Sequence, residues 1–304
     1  MSWVFLAGDY AYKLKKPVRY AFLDFSTLAL REQNCREEVR LNRRLAPEVY
    51  LGVVPLAMDA AGGLRIGGPG ETVEWLVQMR RLPRARMLDR AIAAGETGEA
   101  DAARVAAILA AFYQELPSAL ADEKEYRRRL TLDVLDCARH LELPQYGLPS
   151  GMVLRVVTRT LSFLVHHSGL FDARVASGRI VEGHGDLRPE HVCLLEPPVV
   201  IDCLEFNSAL RITDVAAELA SLAVECEHLG APDFGIGIVR RTCAGIGDDI
   251  PAPLLHYYIA QRALLRAKLA VWHTRDVDAA YVSRWLDRAR EYLALADVHA
   301  RFLV

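Results

Sequence analysis

The sequence lacks the features that mark membrane, secreted and nucleic-acid-binding proteins. No stretch reaches about 18 consecutive apolar residues, so no transmembrane helix is expected. The opening residues MSWVFLAGDY contain no basic leader and no long apolar run, so no signal peptide is expected. Lys and Arg number 37 against 39 Asp and Glu, and this balance gives no reason to expect a nucleic-acid or membrane partner. We therefore expect a soluble, cytoplasmic protein.

The cysteines lack the spacing of a metal site or a redox motif. There are six of them, they form no CxxC pair, and they stand in apolar contexts of a long chain. We therefore expect buried thiols rather than a disulfide framework. The residues are Cys35, Cys137, Cys193, Cys203, Cys226 and Cys243.

The first 80 residues are rich in strand patterns around one helix. Alternation of apolar and polar residues, with Gly-containing turns between the segments, is typical of half-buried strands. A helix is expected to begin after Ser26 or Thr27, either of which suits an N-cap, and to end near Ala46. The predicted strands are Trp3–Ala7, Tyr10–Lys16, Val49–Leu56, Leu64–Gly67 and Val73–Met79.

The composition changes at Met79–Pro83, and the pattern beyond it is mostly helical. The 304 residues are 52% apolar, which is enough for a large core. Only 181–205 interrupts the helical pattern with short strands. The sequence therefore predicts an α+β protein with a small mixed lobe over 1–80 and a large helical lobe over 81–304. The expected helices are 87–94, 99–116, 123–142, 150–169, 213–229, 233–246, 251–273 and 279–297.

Residues 181–205 carry two aspartates that each follow a short apolar segment. Asp186 lies in HGDLRPEH, and Asp202 follows the apolar run Val199–Ile201. Two carboxylates at neighbouring strand ends can hold a metal-nucleotide and a hydroxyl acceptor side by side. Phosphoryl transfer depends on this kind of positioning and charge neutralisation. We therefore expect Asp186 to act as catalytic base or to orient the hydroxyl, and Asp202 to bind Mg²⁺.

These motifs resemble those of a known family. HGDLRPEH followed by IDCLEF resembles the HGDxxxxN and IDx motifs of the aminoglycoside phosphotransferase-like family, relatives of choline kinases and protein kinases. The segment DVAAELA, which begins at Asp214, is similar to the family's D-P-x-x-D-L-A. The likeness extends upstream to Ala11-Tyr12-Lys13 and to MRRLP, so it covers most of the chain. It implies a two-lobe protein-kinase-like fold, ATP and Mg²⁺ as cofactors, and a small-molecule hydroxyl acceptor.

The resemblance is closest to an uncharacterised bacterial branch, often fused to a P-loop kinase domain. Its signatures match Tyr12–Pro17, Phe22–Thr27 and Leu41–Leu45. No GxxxxGK[ST] occurs here, so the chain is expected to carry the kinase-like part alone, and association with a separate P-loop kinase domain is left open. The small lobe is also expected to be truncated at its start, because no glycine-rich loop precedes the first strand.

The resemblance assigns nucleotide-binding roles in the small lobe. A strand lysine would contact the α- and β-phosphates and pair with a helix glutamate. Lys13 and Lys15 lie on one strand face because side chains alternate, so the choice between them stays open, although the Ala-Tyr-Lys context favours Lys13. Glu38 is the expected partner, with Glu37 as the alternative. Met79 belongs to the expected nucleotide-binding hinge.

Histidine at position 191 departs from the family pattern. The family places Asn there, as a ligand of the second metal, whereas an imidazole nitrogen suits softer metals than Mg²⁺. His191 is therefore kept as a metal-ligand candidate beside Asp202. His184 is expected to support the shape of the catalytic loop through backbone hydrogen bonds, and Asp214 is expected to have a structural role.

Two other functions remain open from the residues alone. The substitution of Asn by His191 and the missing glycine-rich loop are also compatible with a non-catalytic, pseudokinase-like nucleotide-binding module. His184, Asp186 and His191 could instead form part of a metallohydrolase ligand set, although this leaves the lysine strand and Asp202 without roles. The acceptor cannot be read from the sequence, because fold does not decide substrate.

Overall fold

The structure is a computed structural model that describes residues 2–20, 23–119 and 122–303. Phe22, the first residue of one family signature, lies outside the described residues. Packing divides the chain into two compact units, Met1–Gly95 with His184–Arg211 and Glu96–Gly183 with Ile212–Val304. This division differs from the lobe boundary at residue 80 that the sequence predicts. The segment 184–211 joins the first unit through contacts such as the bridge between Met87 and Cys193.

An antiparallel sheet forms the body of the first unit. In chain order its strands are β1 (Ser2–Ala7) and β2 (Tyr10–Lys15), followed by a small hairpin of β3 (Arg19–Tyr20) and β4 (Leu23–Asp24), then β5 (Tyr50–Met58), β6 (Leu64–Ile66) and β7 (Glu71–Arg80). The order in the sheet is β1-β2-β7-β5-β6, with β3 and β4 paired separately. The strands predicted from alternation are all present with ends shifted by a few residues. The β3–β4 hairpin was not predicted, because strands of two residues show no alternation.

The helix of the first unit, α1 (Leu28–Asn42), begins where the sequence predicts. Thr27 is the N-cap, and its hydroxyl accepts a hydrogen bond from the Leu30 amide at 3.2 Å. The helix packs on β5 and β7 and buries Cys35, Val39 and Leu41. It ends at Asn42 rather than near Ala46, because the chain turns at Arg43 to enter β5.

The segment around the two aspartates adds short elements to the first unit. They are α2 (Leu88–Ala94), a 3₁₀ turn at Pro189–His191, and the antiparallel pair β9 (Val192–Cys193) and β10 (Val199–Val200). The preceding strand, β8 (Ile180–Glu182), lies in the second unit. Helix α2 contacts the 3₁₀ turn and β9. Residues far apart in sequence therefore meet beside the sheet.

The second unit is helical around the short pair β8 and β11 (Ile212–Asp214). Large rings such as Phe171, Tyr257 and Tyr258 fill its core. The predicted helix over 150–169 is in fact two helices, because the backbone leaves the helical conformation at His167. The helices are α3 (Glu99–Glu115), α4 (Glu123–Leu141), α5 (Ser150–His166), α6 (Ser168–Ala176), α7 (Val215–His228), α8 (Pro232–Gly245), α9 (Ala252–His273) and α10 (Ala279–Ala300).

The predicted α+β class is confirmed by this arrangement of sheet and helices. Among the residues that the structure describes, no helix combines the length and the apolar character that crossing a membrane requires. The cysteine prediction is also confirmed, because all six residues are buried and remain thiols.

The buried thiols are expected to be unreactive in the folded protein. Burial raises the pKa of Cys35, Cys137 and Cys243 to about 12 and that of Cys193 to about 11, so almost no thiolate, the reactive form, exists at pH 8. Titration with Ellman's reagent should therefore give a slow reaction for the native protein and six equivalents at once in guanidinium chloride. Glutathione in the same buffer serves as the reactive control. A thiol that reacts in the native protein as fast as glutathione would contradict this account of the core.

Candidate functional site

Two lysines of β2 converge on one carboxylate of α1. Side chains alternate along a strand, so Lys13 and Lys15 both point toward the helix. The Lys13 ammonium lies 2.9 Å from Glu38 Oε1, and the Lys15 ammonium lies 2.8 Å from Glu38 Oε2. The alternative glutamate, Glu37, lies on another face of the helix and accepts hydrogen bonds of 2.7 Å from Arg40. The structure therefore brings Glu38, and not Glu37, to the lysines.

This cluster is sealed from solvent at its centre. The side chains of Glu38 and Lys15 are 0% exposed, and that of Lys13 is 15% exposed. Burial alone lowers the pKa of Lys13, but Glu38 and Asp202 outweigh it, and the pKa lies well above its ordinary value. Burial raises the pKa of Glu38, but the two lysines outweigh it and the net shift is downward. The Glu38 carboxylate and the two lysines therefore stay charged, because each buried ion has a partner of opposite charge.

Lys13 also connects the helix to Asp202. Its ammonium lies 2.6 Å from Asp202 Oδ1, and the Asp202 side chain is 43% exposed. Partial burial raises the pKa of Asp202, but Lys13 and then His191 outweigh it, so the pKa lies well below its ordinary value. Asp202 thus presents a permanent negative charge toward solvent.

The backbone at Asp202 is in an unusual conformation that its neighbours hold in place. Its φ is +63°, in the left-handed region that residues other than glycine rarely adopt. The Tyr50 hydroxyl accepts a hydrogen bond from the Asp202 amide at 3.1 Å, and the Asn42 side-chain oxygen accepts one from the Cys203 amide at 2.9 Å. Strain of this kind persists where the surroundings fix it and is concentrated at functional sites.

His184 ties the Asp186 loop to the end of β10. Its Nε2 donates to the Ile201 carbonyl at 2.9 Å, and its Nδ1 accepts from the Asp186 amide at 3.3 Å. Gly185 between them has a φ of +86°, and a Cβ there would lie 3.1 Å from Leu204 Cβ. Because both nitrogens of His184 are engaged by backbone, they are not oriented for a metal, which counts against the metallohydrolase alternative.

His191 lies between the two aspartates. Its Nδ1 donates to the Asp186 carbonyl at 2.8 Å, and its Nε2 accepts from Arg188 at 3.1 Å, a tautomer assigned from these partners. The same Nε2 lies 3.5 Å from Asp202 Oδ2. Arg188 Nε lies 3.0 Å from Asp186 Oδ1, so Asp186 is oriented from the same turn. Position 191 therefore reaches the Asp202 carboxylate, as its place in the motif suggests.

The donor set fits one magnesium ion better than two. Asp202 supplies a hard carboxylate oxygen, and Mg²⁺ commonly takes one or two carboxylates together with phosphate oxygens. The remaining candidate ligand, His191, offers a softer nitrogen. In the part of the chain that the structure describes, no group of three or more His, Cys, Asp or Glu side chains is arranged to hold a metal ion by itself. A metal at this site would depend on oxygens from its ligand.

Two other candidate residues have structural contacts. Met79 is buried in β7 opposite Ala11 and Tyr50, and it packs in an apolar cluster with Val199. Asp214 belongs to the second unit, where it caps α7 and accepts hydrogen bonds of 2.8 Å from Arg174 and from the Tyr258 hydroxyl. The completely buried Asp214 carboxylate thus anchors α7 to α6 and α9.

Glu205 is a member of the site that sequence reasoning missed. Like Glu38, it bonds the Lys15 ammonium, and its side chain is 9% exposed. Burial and the nearby Glu38 charge raise its pKa, while Lys15 opposes the shift. The available signal was a second lysine on the inward face of β2, since a buried ammonium requires carboxylate partners. Glu205 lies three residues after Asp202 in the sequence.

Comparison of the sequence with known proteins finds longer relatives in mycobacteria. No protein-family model matches the sequence. Uncharacterised proteins of Mycobacterium tuberculosis and Mycobacterium bovis are each 34% identical over 273 residues, which are 88% of this chain and 52% of theirs. The chain thus spans about half the length of the curated relatives it matches.

Solved structures similar to this chain are small-molecule kinases. The GDP complex of an aminoglycoside 2'-phosphotransferase-IIIa has a TM-score of 0.51 at 16% identity and covers 96% of this chain and 89% of its own. The gentamicin complex of APH(2")-IIa has a TM-score of 0.52 at 15% identity, covering 96% and 90%. An ethanolamine kinase of Plasmodium vivax has a TM-score of 0.51 at 9% identity, covering 94% and 75%. The chain therefore has the protein-kinase-like fold of the aminoglycoside phosphotransferases.

Proposed function

We propose that this chain is an ATP- and Mg²⁺-dependent phosphotransferase that transfers the γ-phosphate to a hydroxyl of a small molecule. The observation that carries the proposal is the contact of Lys13 with both Glu38 and Asp202, at 2.9 Å and 2.6 Å. A lysine paired with a helix glutamate beside a metal-binding aspartate is the arrangement that phosphoryl transfer uses. Structures that share the fold include an aminoglycoside phosphotransferase and an ethanolamine kinase, which supports the same reaction.

Lys13, rather than Lys15, is the proposed phosphate ligand. Lys13 is the more exposed of the two, and it lies against Asp202. Lys15 is 0% exposed and is enclosed by Glu38 and Glu205, so it would have to leave two carboxylates to reach a phosphate. We assign Lys15 the task of positioning Glu38, which in turn orients Lys13.

Asp186 is the proposed base. Its side chain is 37% exposed and is oriented by Arg188 and by the backbone contacts of His184 and His191. A carboxylate held in this way can accept the proton of a hydroxyl as the hydroxyl attacks phosphorus. Asp202 would hold Mg²⁺, which when bound neutralises charge on the phosphate oxygens.

The proposed acceptor is a small molecule with a hydroxyl group. Aminoglycosides and ethanolamine are named for the similar structures only, and fold does not decide the acceptor. The chain spans about half the length of the mycobacterial relatives. Association with a separate P-loop kinase domain is kept as a proposal from the resemblance of the sequence.

His191 supports a second candidate, nucleotide binding without transfer. Its Nδ1 is committed to the Asp186 carbonyl and its Nε2 faces Asp202 Oδ2, where the related motif has an amide oxygen. If transfer needs a second metal ion, histidine in place of asparagine at position 191 would preserve nucleotide binding but remove turnover. Measurements of binding and turnover on the same preparation separate the two functions.

Replacement of Asp186 by Asn should remove turnover while leaving nucleotide binding. We expect ADP release from Mg·ATP, with a panel of amino sugars and amino alcohols, to fall by about 10²- to 10⁴-fold, because the general base is lost. The matched control is Asp287→Asn, an exposed aspartate of α10 that is paired with Arg290. If the wild type binds the nucleotide but transfers phosphate to none of the acceptors in a broad panel, the non-catalytic alternative is favoured. Equal activity of Asp186→Asn and wild type would exclude the assigned base.

Substitution of the two lysines by methionine should have different effects. Lys15→Met should lower the free energy of unfolding by about 3–5 kcal/mol, because it leaves buried carboxylates without their shared cation. Lys13→Met should cost less stability but weaken nucleotide binding by about tenfold or more, since a charged hydrogen bond contributes roughly 1.5–3 kcal/mol. Urea unfolding and calorimetric titration with Mg·ATP measure both quantities. The control is Lys16→Met, because the Lys16 ammonium lies over the Trp3 ring and not at Glu38. Binding of Mg·ATP by Lys13→Met as strong as that of the wild type would contradict the assignment of Lys13 as phosphate ligand.

A further inference from the structure

Strand β2 contacts both ends of one short segment of the first unit, residues 202–205. Lys13 lies 2.6 Å from Asp202 Oδ1, and the Lys15 ammonium bonds Glu205. The two lysines are two residues apart on β2, and the two carboxylates are three residues apart in the segment. Neighbouring lysines of one strand therefore hold the two ends of one stretch of backbone.

Both lysines are fixed from the other side by α1. The Lys13 and Lys15 ammonium groups lie 2.9 Å and 2.8 Å from the two oxygens of Glu38, whose side chain is completely buried. The ionic contacts thus form a closed path that leaves the 202–205 segment at Glu205 and returns to it at Asp202. Loss of one lysine contact leaves the segment attached through the other.

The two contacts differ in their access to solvent. The side chains of Lys15 and Glu205 are 0% and 9% exposed, whereas those of Lys13 and Asp202 are 15% and 43% exposed. A ligand from solvent can therefore reach the Lys13–Asp202 contact, but the Lys15–Glu205 contact is enclosed.

The proposed reaction engages both partners of the exposed contact. Lys13 is the proposed phosphate ligand, and Asp202 is the proposed Mg²⁺ ligand. Each of them then has a second ion of opposite charge, so the attraction between the two weakens when a metal-nucleotide is bound. The enclosed contact between Lys15 and Glu205 takes no part in ligand binding and persists.

The backbone at Asp202 needs attachments that persist in this way. Its φ of +63° is strained, and a strained residue keeps its conformation only where the surroundings fix it. The Asp202 amide donates to the Tyr50 hydroxyl at 3.1 Å, and the Cys203 amide donates to the Asn42 side-chain oxygen at 2.9 Å. Glu205 attaches the chain again after these two hydrogen bonds, so contacts hold the strained stretch at both ends.

We propose that Glu205 is a positioning residue: its contact with Lys15 keeps the 202–205 segment on β2 while a ligand occupies Lys13 and Asp202, and so keeps the Asp202 carboxylate in place for Mg²⁺. This role deepens the proposed phosphotransferase function and rests on it. If Glu205 served only to pair the buried Lys15, its loss would destabilise the fold but leave the contribution of Mg²⁺ to nucleotide binding unchanged.

Three variants separate these two roles. Glu205→Met removes the acceptor oxygens but keeps a side chain of similar length, whereas Glu205→Gln keeps one acceptor oxygen. The matched control is Glu74→Met, because Glu74 is also largely buried, at 13% exposed, and bonds Arg31 at 2.8 Å in the same unit. Circular dichroism and urea unfolding establish that each variant is folded.

Hydrogen exchange measures the attachment of the segment without nucleotide. Lys13→Met removes the exposed contact and so reproduces the state in which Lys13 is engaged elsewhere. We expect the Asp202 and Cys203 amides of Lys13→Met to exchange within about threefold of the wild-type rate. In Lys13→Met/Glu205→Met they should exchange at least about tenfold faster than in the wild type, because the segment then opens locally.

The double variant is expected to fold. It keeps Lys15 and Glu38 as a one-to-one ion pair 2.8 Å apart, so these buried charges remain balanced. Lys13→Met/Glu74→Met is the control for a combined substitution and should exchange like Lys13→Met.

Calorimetric titration with ATP, in Mg²⁺ and in EDTA, measures the positioning of Asp202 itself. The affinity of the wild type should rise at least about tenfold with Mg²⁺, and this increase should fall to less than about threefold in Glu205→Met, because Asp202 is no longer held in place. Binding in EDTA should be the same for both proteins. Glu205→Gln should restore most of the increase, and Glu74→Met should keep all of it.

Two results would overturn the positioning role of Glu205. One is equal exchange in Lys13→Met and in Lys13→Met/Glu205→Met, and the other is an undiminished effect of Mg²⁺ on ATP binding in Glu205→Met. Absence of ATP binding by the wild type would instead contradict the phosphotransferase proposal, and the exchange rates would then still decide whether Glu205 holds the segment.

Discussion

The site depends on one carboxylate that serves two ammonium groups. Glu38 bonds Lys13 with one oxygen and Lys15 with the other, and all of its side chain is buried. A buried carboxylate with a missing partner costs several kcal/mol, so the strand and the helix are held in this register by charge as well as by packing. The two lysines differ in exposure, and we assign their roles on that basis. The enclosed Lys15 stabilises Glu38, and the more exposed Lys13 extends the chain of charges to Asp202.

The second requirement is a loop that presents the two aspartates in fixed positions. Hydrogen bonds between the backbone and the side chains of His184, Tyr50 and Asn42, rather than side-chain packing alone, fix these positions. Asp202 keeps a left-handed φ of +63° because its own amide donates to Tyr50 and the next amide donates to Asn42. A strained aspartate in contact with Lys13, the proposed phosphate ligand, connects the fold directly to the proposed chemistry.

Much of this organisation could be predicted from local patterns. The alternation in Tyr10–Lys15, the N-cap at Thr27 and the two aspartates after apolar runs each have a short-range signal. For the choice between Lys13 and Lys15 the only local signal was the Ala-Tyr-Lys context, because residues two apart in a strand share a face and both reach Glu38. The role of Glu205 and the packing of 184–211 against the N-terminal strands could not be predicted either, since they depend on contacts between residues more than 100 positions apart.

The central claim is that Lys13, Glu38 and Asp202 form a site for a magnesium nucleotide. Calorimetric titration of the wild type and of Asp202→Asn with ATP and with GTP, each with Mg²⁺ and with EDTA, tests it most directly. The account predicts a dissociation constant below about 1 mM with Mg²⁺ and at least tenfold weaker binding in EDTA and in Asp202→Asn, since the loss of a charged contact contributes more than about 1.4 kcal/mol. Absence of binding by either nucleotide at millimolar concentration, or equal binding by Asp202→Asn, would contradict it.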